Sequence, residues 1–136
     1  MYNLSRTSQY AIMGLASLAR FEKNGPVPVG VLSRRCGIPS SYLVKVFGRL
    51  ERKGFLRSVR GRRGGFRLAK PPEQISLLRI VEAIEGPMAA RGVCPLTGEV
   101  CTGRQNCLVH EGKACLERTL LSLLETSSIS SLHVVK

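Results

Sequence analysis

Cys94, Cys101, Cys107 and His110 fall within 17 residues, spaced Cys-x6-Cys-x5-Cys-x2-His. Thiolates are soft ligands that suit iron–sulfur clusters and zinc. The i, i+3 spacing of Cys107 and His110 sets both on one face at the start of a helical pattern. A helix N-terminus lowers a thiol's pKa and favours a negatively charged centre. Cys115 lies eight residues beyond Cys107. On an unbroken helix that is about 12 Å, too far for one small centre. A break at Gly112 would return it as a reserve ligand. Three readings stand for this segment: ordinary thiols, a Cys3His zinc site, and an iron–sulfur cluster. Structural zinc sites use paired C-x2–4-C spacing, which is absent here, so the pattern favours the cluster. One histidine in the shell leaves a cluster open to protonation and exchange, which suits sensing. Cys36 stands apart and reads as a small buried hydrophobe, while His133 near the end receives no role.

These ligands need elements to hold them. Ser5 or Thr7 can cap a first helix that runs to about Phe21 and is broken by Asn24-Gly25-Pro26. A short helix is expected over Val29–Cys36, ended by Gly37. A third starts at Pro39-Ser40, with Ser40 or Ser41 as its cap and Leu43, Val46, Phe47 and Leu50 on one face. Two short helices around a Gly-containing turn read as helix-turn-helix. Phe55–Arg60 and Phe66–Ala69, joined by Gly61-Arg62-Arg63-Gly64-Gly65, read as a hairpin, and after a helix-turn-helix such a hairpin is a wing. Ser76 caps a helix lined by Leu77, Ile80, Val81 and Ile84. The long loop Met88–Asn106 follows, and a loop of that length in a small domain is usually functional. From Cys107 to about Thr126 a helix returns with Leu116, Leu120, Leu123 and Leu124 in a stripe. It is too apolar to stand alone in water and is expected to pack on a twin.

Charge is divided unevenly along the chain. Residues 1–70 hold 15 Lys/Arg against 2 Glu, residues 71–136 hold 6 against 7, and the whole carries +12 with no Asp. A basic half joined to a near-neutral half implies a polyanionic partner, nucleic acid before an anionic membrane. The second helix of a helix-turn-helix enters the major groove, which nominates Ser40, Ser41, Tyr42, Lys45 and Arg49. Arg60, Arg62 and Arg63 at the glycine turn suit the narrow, electronegative minor groove. No enzyme chemistry is visible: no acid–base pair clusters, and the two His stand 23 residues apart. A small redox carrier with incidental basic charge is the competing class, distinguished by an absence of salt-dependent DNA binding.

A resemblance joins these features. Leu4-Ser5 with Tyr10-Ala11, Gly25-Pro26-Val27-Pro28, Gly37-Ile38, Ser41-Tyr42-Leu43, Phe47, Arg49-Leu50 and Gly54 are part of it. Ser58-Val59-Arg60-Gly61, Gly64-Gly65, Cys94, Cys101 and Cys107-Leu108-Val109-His110 complete it. Over nearly its whole length the chain resembles the Rrf2 family of bacterial transcription regulators, including its Isc and nitric-oxide branches. The resemblance implies a winged-helix homodimer with a long dimerisation helix and a cluster held by three cysteines. In some relatives the fourth ligand comes from the partner's first helix; the matching position here is Gln9, a poor ligand. The Cys-x2-His arrangement is similar to the Isc branch, which implies His110 as fourth ligand and a [2Fe-2S] centre. The first two cysteines are one residue further apart than in that branch, which leaves [4Fe-4S] open. Val44 stands where that branch has an acidic residue, so the target sequence should differ.

The expected fold is mainly α with a small β wing: a winged helix-turn-helix plus a long dimerisation helix. Its parts are a DNA-binding domain (1–72), a connecting helix (73–87), a Cys-rich cluster loop (88–110), a dimerisation helix (107–126) and a tail (127–136). The expected partners are double-stranded DNA with a palindromic operator and a second copy of the chain. No run of about 18 apolar residues exists to span a membrane, and the apolar stretch Ala11–Ala19 keeps helical spacing rather than reading as a signal peptide. A cytoplasmic location follows, where cysteines serve as ligands or sensors more than as disulfides.

Overall fold

The computed structural model describes residues 4–88, 93–94, 96–101 and 107–132. Helix α1 (Arg6–Phe21) is its centre. Ser5 caps it, its Oγ accepting the Ser8 N–H at 3.2 Å. Ala11, Leu15 and Leu18 at helical spacing are fully buried, and the neighbouring Gly14, Ala16 and Ser17 are buried too, because other elements cover α1 on several sides. Each fully buried Leu contributes about 1.5–3 kcal/mol. At Gly14 the ring of Phe47 comes so close that a Cβ would stand 2.7 Å from Cε1. This contact sets how closely α1 crosses the helix that carries Phe47.

Helix α2 (Val29–Cys36) ends at Gly37, whose left-handed φ of 66° turns the chain toward Pro39. Helix α3 (Ser40–Arg52) buries Leu43, Val46, Phe47 and Leu50, as its periodicity requires. Its cap differs from expectation. Pro39 holds the N-cap position without a side-chain bond, so Ser40 and Ser41 lie inside the first turn with exposed side chains. Strand β1 (Leu56–Val59) pairs antiparallel with β2 (Gly65–Leu68) in the register Leu56↔Leu68, Arg57↔Arg67, Ser58↔Phe66 and Val59↔Gly65. A bridge between Val27 and Phe66 adds a third backbone to this wing. Gly65 permits it: its φ is +152°, and a Cβ there would run into the Val27 backbone.

Helix α4 (Leu77–Glu85) is capped by Ser76 and buries Leu77, Ile80, Val81 and Ile84 in the same core as α1 and α3. No separate core begins after residue 72. Helix α5 (Leu108–Thr126) buries only Leu124. The segment expected to be a polar tail instead folds back. Ser127 O accepts the Leu77 N–H at 2.9 Å, Ile129 N–H donates to Ile75 O at 3.1 Å, and Ile129 is only 2% exposed. One buried isoleucine among serines is too weak a periodic signal to have shown this. Residues 133–136, including His133, lie outside the described part.

Candidate nucleic-acid interface and cysteine centre

The exposed face of α3 carries Ser40, Ser41, Val44 and Lys45, with Arg52 and Lys53 at its end. Two nominated residues are engaged elsewhere. The Tyr42 hydroxyl lies 2.6 Å from Thr7 Oγ1, and its ring meets Tyr10 edge-on at 5.4 Å. Arg49 departs further from expectation: its Nη2 donates to the Ile84 carbonyl at 2.8 Å, on α4. Arg60, Arg62 and Arg63 are all exposed at the wing tip.

The only two carboxylates of the basic half both serve the wing. Glu22 accepts the Leu68 N–H at 2.7 Å. Glu51 accepts the Ser58 N–H at 2.8 Å and its hydroxyl at 2.7 Å, and these bonds, the amide first, hold its carboxyl below the usual range. The register also exposes a pair that the sequence reading missed. Arg57 and Arg67 stand directly opposite on the outer face of the hairpin, and both are exposed. Like charges opposite one another destabilise a sheet, and among the described residues neither is paired with a carboxylate. A polyanion would relieve that repulsion. The strand register alone could have revealed them.

The cysteine segment starts three residues past α4. In a tight turn the Cys94 N–H donates to Glu99 O at 2.7 Å and the Gly98 N–H to Cys94 O at 2.9 Å. The Leu96 and Thr97 amides, then the Thr97 hydroxyl, point at the Cys94 sulfur. With a smaller contribution from Lys113 they outweigh burial and lower the thiol pKa. Cys101 Sγ lies 3.0 Å from His110 Nδ1. Cys107 occupies the N-cap position of α5, as the helix-start reading requires. All three thiols are free and half-buried. Cys101 and His110 are thus brought together, whereas Cys94 and Cys107 stay outside that pair. Among the described residues no three His, Cys, Asp or Glu converge as a metal shell. Cys115 is exposed, and α5 runs unbroken through Gly112, so the break that would have returned it does not form. Cys36 is half-buried, its Sγ 3.8 Å from Met13 O, consistent with a packing role. Gln9 is exposed and donates to its own helix start, at Leu4 O.

A helix-turn-helix with a two-stranded wing, a basic exposed face and a following thiol-rich segment defines a winged-helix transcription regulator. The sequence profile of the Rrf2 family, described as an iron-dependent transcriptional regulator, matches residues 4–134, and the chain belongs to that family. It is 32% identical over 131 residues to the HTH-type transcriptional regulator IscR of Aliivibrio salmonicida, covering 96% of this chain and 77% of the relative. Two solved structures share the fold. CymR, the global cysteine regulator of B. subtilis, superposes with a TM-score of 0.80 at 22% identity over 96% of this chain and 95% of that one. T. potens IscR gives 0.75 at 21% identity over 95% and 84%. Among the described residues no helix is long and apolar enough to cross a membrane.

Proposed function

We propose that this regulator is a cytoplasmic homodimer whose grip on a palindromic operator is controlled by an iron–sulfur cluster held by Cys94, Cys101, Cys107 and His110. The observation that carries the reading is the Cys101 Sγ–His110 Nδ1 contact at 3.0 Å, with two more half-buried thiols in the same segment. The donor set fits such a centre: soft sulfurs, one imidazole, and at Cys94 two backbone amides and a hydroxyl that favour the thiolate form a cluster requires. The iron dependence in the family's description agrees with it. The resemblance to the Isc branch favours [2Fe-2S], and the longer Cys94–Cys101 spacing leaves [4Fe-4S] open. When bound, the cluster supplies a redox-sensitive, exchangeable ligand load on the segment; the chain supplies the DNA contacts. Ser40, Ser41 and Lys45 face the major groove, and Arg60, Arg62 and Arg63 the minor groove, with Arg57 and Arg67 beside them.

The dimer is supported by α5, where Leu108, Leu116 and Leu123 are 82, 62 and 59% exposed. Such a stripe is stable in water when covered, and a second copy covers it symmetrically. Two symmetric recognition helices then read an inverted repeat. About 3–5 phosphate contacts per half-site give a log–log salt slope of roughly −5 to −9.

The deciding experiment is metal and sulfide analysis of protein purified without air, paired with DNA binding before and after metal removal. Iron with equimolar acid-labile sulfide and a changed affinity supports the proposal. One zinc per chain without sulfide would replace the cluster by a structural zinc site. Colourless, metal-free protein that binds DNA at full strength would end it.

A further inference from the structure

The recognition helix is tied to the turn of α4 that leads into the cysteines, directly at its C-terminal end and by way of α1 at its N-terminal end. Arg49, in the last turn of α3, donates to the Ile84 carbonyl at 2.8 Å. Carbonyls in the final turn of a helix lack intrahelical partners and carry the negative end of its dipole, so a guanidinium there makes a charge-assisted bond. Glu85, the next residue, accepts the Ser5 N–H at 2.8 Å and the Ser8 hydroxyl at 2.6 Å, both at the start of α1. In that same first turn of α1, Thr7 bonds the hydroxyl of Tyr42, in the first turn of α3. Gly86, at a φ of +83°, then turns the chain toward Met88 and the thiols.

We infer that Arg49 is a positioning residue, coupling the state of the cysteine segment to the tilt of α3 rather than gripping a phosphate. The inference rests on the cluster-controlled reading above. Rearrangement beyond Gly86 shifts the last turn of α4, and Arg49 carries that shift to the end of the recognition helix. The route through Glu85, α1 and Thr7 holds the opposite end at Tyr42, so α3 tilts instead of sliding.

The test uses the full chain, iron-loaded and stripped, with a duplex selected by the iron-loaded wild type from a random DNA pool. Affinity is measured in both states across a salt series for wild type, Arg49→Met and Arg49→Lys. The expected result is that Arg49→Met brings the loaded-to-stripped affinity ratio to within about twofold while leaving the salt slope unchanged. A phosphate contact behaves oppositely: the ratio survives and the slope drops by about two per dimer. A lysine serves phosphate as well as arginine does but reaches Ile84 less well, so Arg49→Lys should lower the ratio part-way. An unchanged ratio in both variants overturns the inference. No loading dependence in the wild type itself overturns the cluster reading, and the inference with it.

Discussion

Replacing Arg57 and Arg67 by glutamine should make the protein more stable and a poorer DNA binder. The two guanidinium groups stand on opposed strand positions with no carboxylate partner among the described residues. Two unit charges about 7 Å apart in water repel by about 0.6 kcal/mol, within the range of about 0.2–1 kcal/mol for opposed pairs on neighbouring strands. Glutamine keeps much of the stem and removes the charge. Either single variant should therefore gain about 0.2–1 kcal/mol in urea unfolding at low salt, and the double variant should gain little more, because one substitution already abolishes the repulsion. The gain should shrink toward zero as salt approaches about 1 M, where the Debye length is near 3 Å. On DNA the sign reverses. Each arginine that leaves a phosphate removes about 0.9 from the salt slope per wing, hence about 1.8 per dimer. Urea melts and a fluorescence-anisotropy salt series read both effects. A loss of stability together with an unchanged salt slope would refute the reasoning, since it would make the pair a structural feature of the sheet.

Gly65→Ala should detach the wing from Val27, because it loses the two backbone bonds of that bridge and forces alanine into a positive φ; at about 0.5–1.5 kcal/mol per bond and about 1–2 for the strain, urea unfolding should show a loss of about 2–5 kcal/mol. Glu51 has a folded pKa below its unfolded value, so its contribution is complete above the ordinary carboxylate range and is lost as pH falls through the folded value. Glu51→Gln should thus flatten the fall in urea midpoint from about pH 5 to pH 3, and an identical acid profile would count against the Ser58 clamp. Leu116→Asp with Leu123→Asp should shift the sedimentation coefficient to that of a monomer while leaving the far-ultraviolet spectrum nearly unchanged; a persistent dimer would place the interface elsewhere. Thr97→Val removes one of the groups that lower the Cys94 pKa, so the pH midpoint for alkylation of Cys94 in metal-free protein should rise, and an unmoved midpoint would leave only the backbone amides at work.

The winged helix was legible because its signals are local. Apolar residues at helical spacing fixed α1, α3 and α4, and Gly37, Gly54 and Gly86 marked real turns with positive φ. The nominated ligands were legible as chemistry but not as geometry: spacing placed Cys107 at a helix start, whereas the Cys101–His110 contact depends on how the intervening loop folds. Arg49 and Tyr42 show the limit most clearly. Both lie on a basic helix face and stay exposed, and only the packing of α1 and α4 against α3 engages their polar ends in hydrogen bonds within the protein. The docking of Ile129 was hidden for a similar reason, since strand-like pairing of Ser128 with Ser76 joins residues 52 positions apart.

Helix α5 is anchored in the core at its C-terminal end, while its N-terminal end meets the cysteine segment through His110. Leu120, Leu124 and Ile129 join the core, while Leu108, beside Cys107, is almost fully exposed. Its 19 residues span about 28 Å. It is built as a lever with its fulcrum in the core, and a swing of about ten degrees would carry the cysteine-bearing tip roughly 5 Å. Small chemical events at that tip would therefore be magnified in travel, and in the proposed dimer the helix related by the two-fold axis would be displaced along with it.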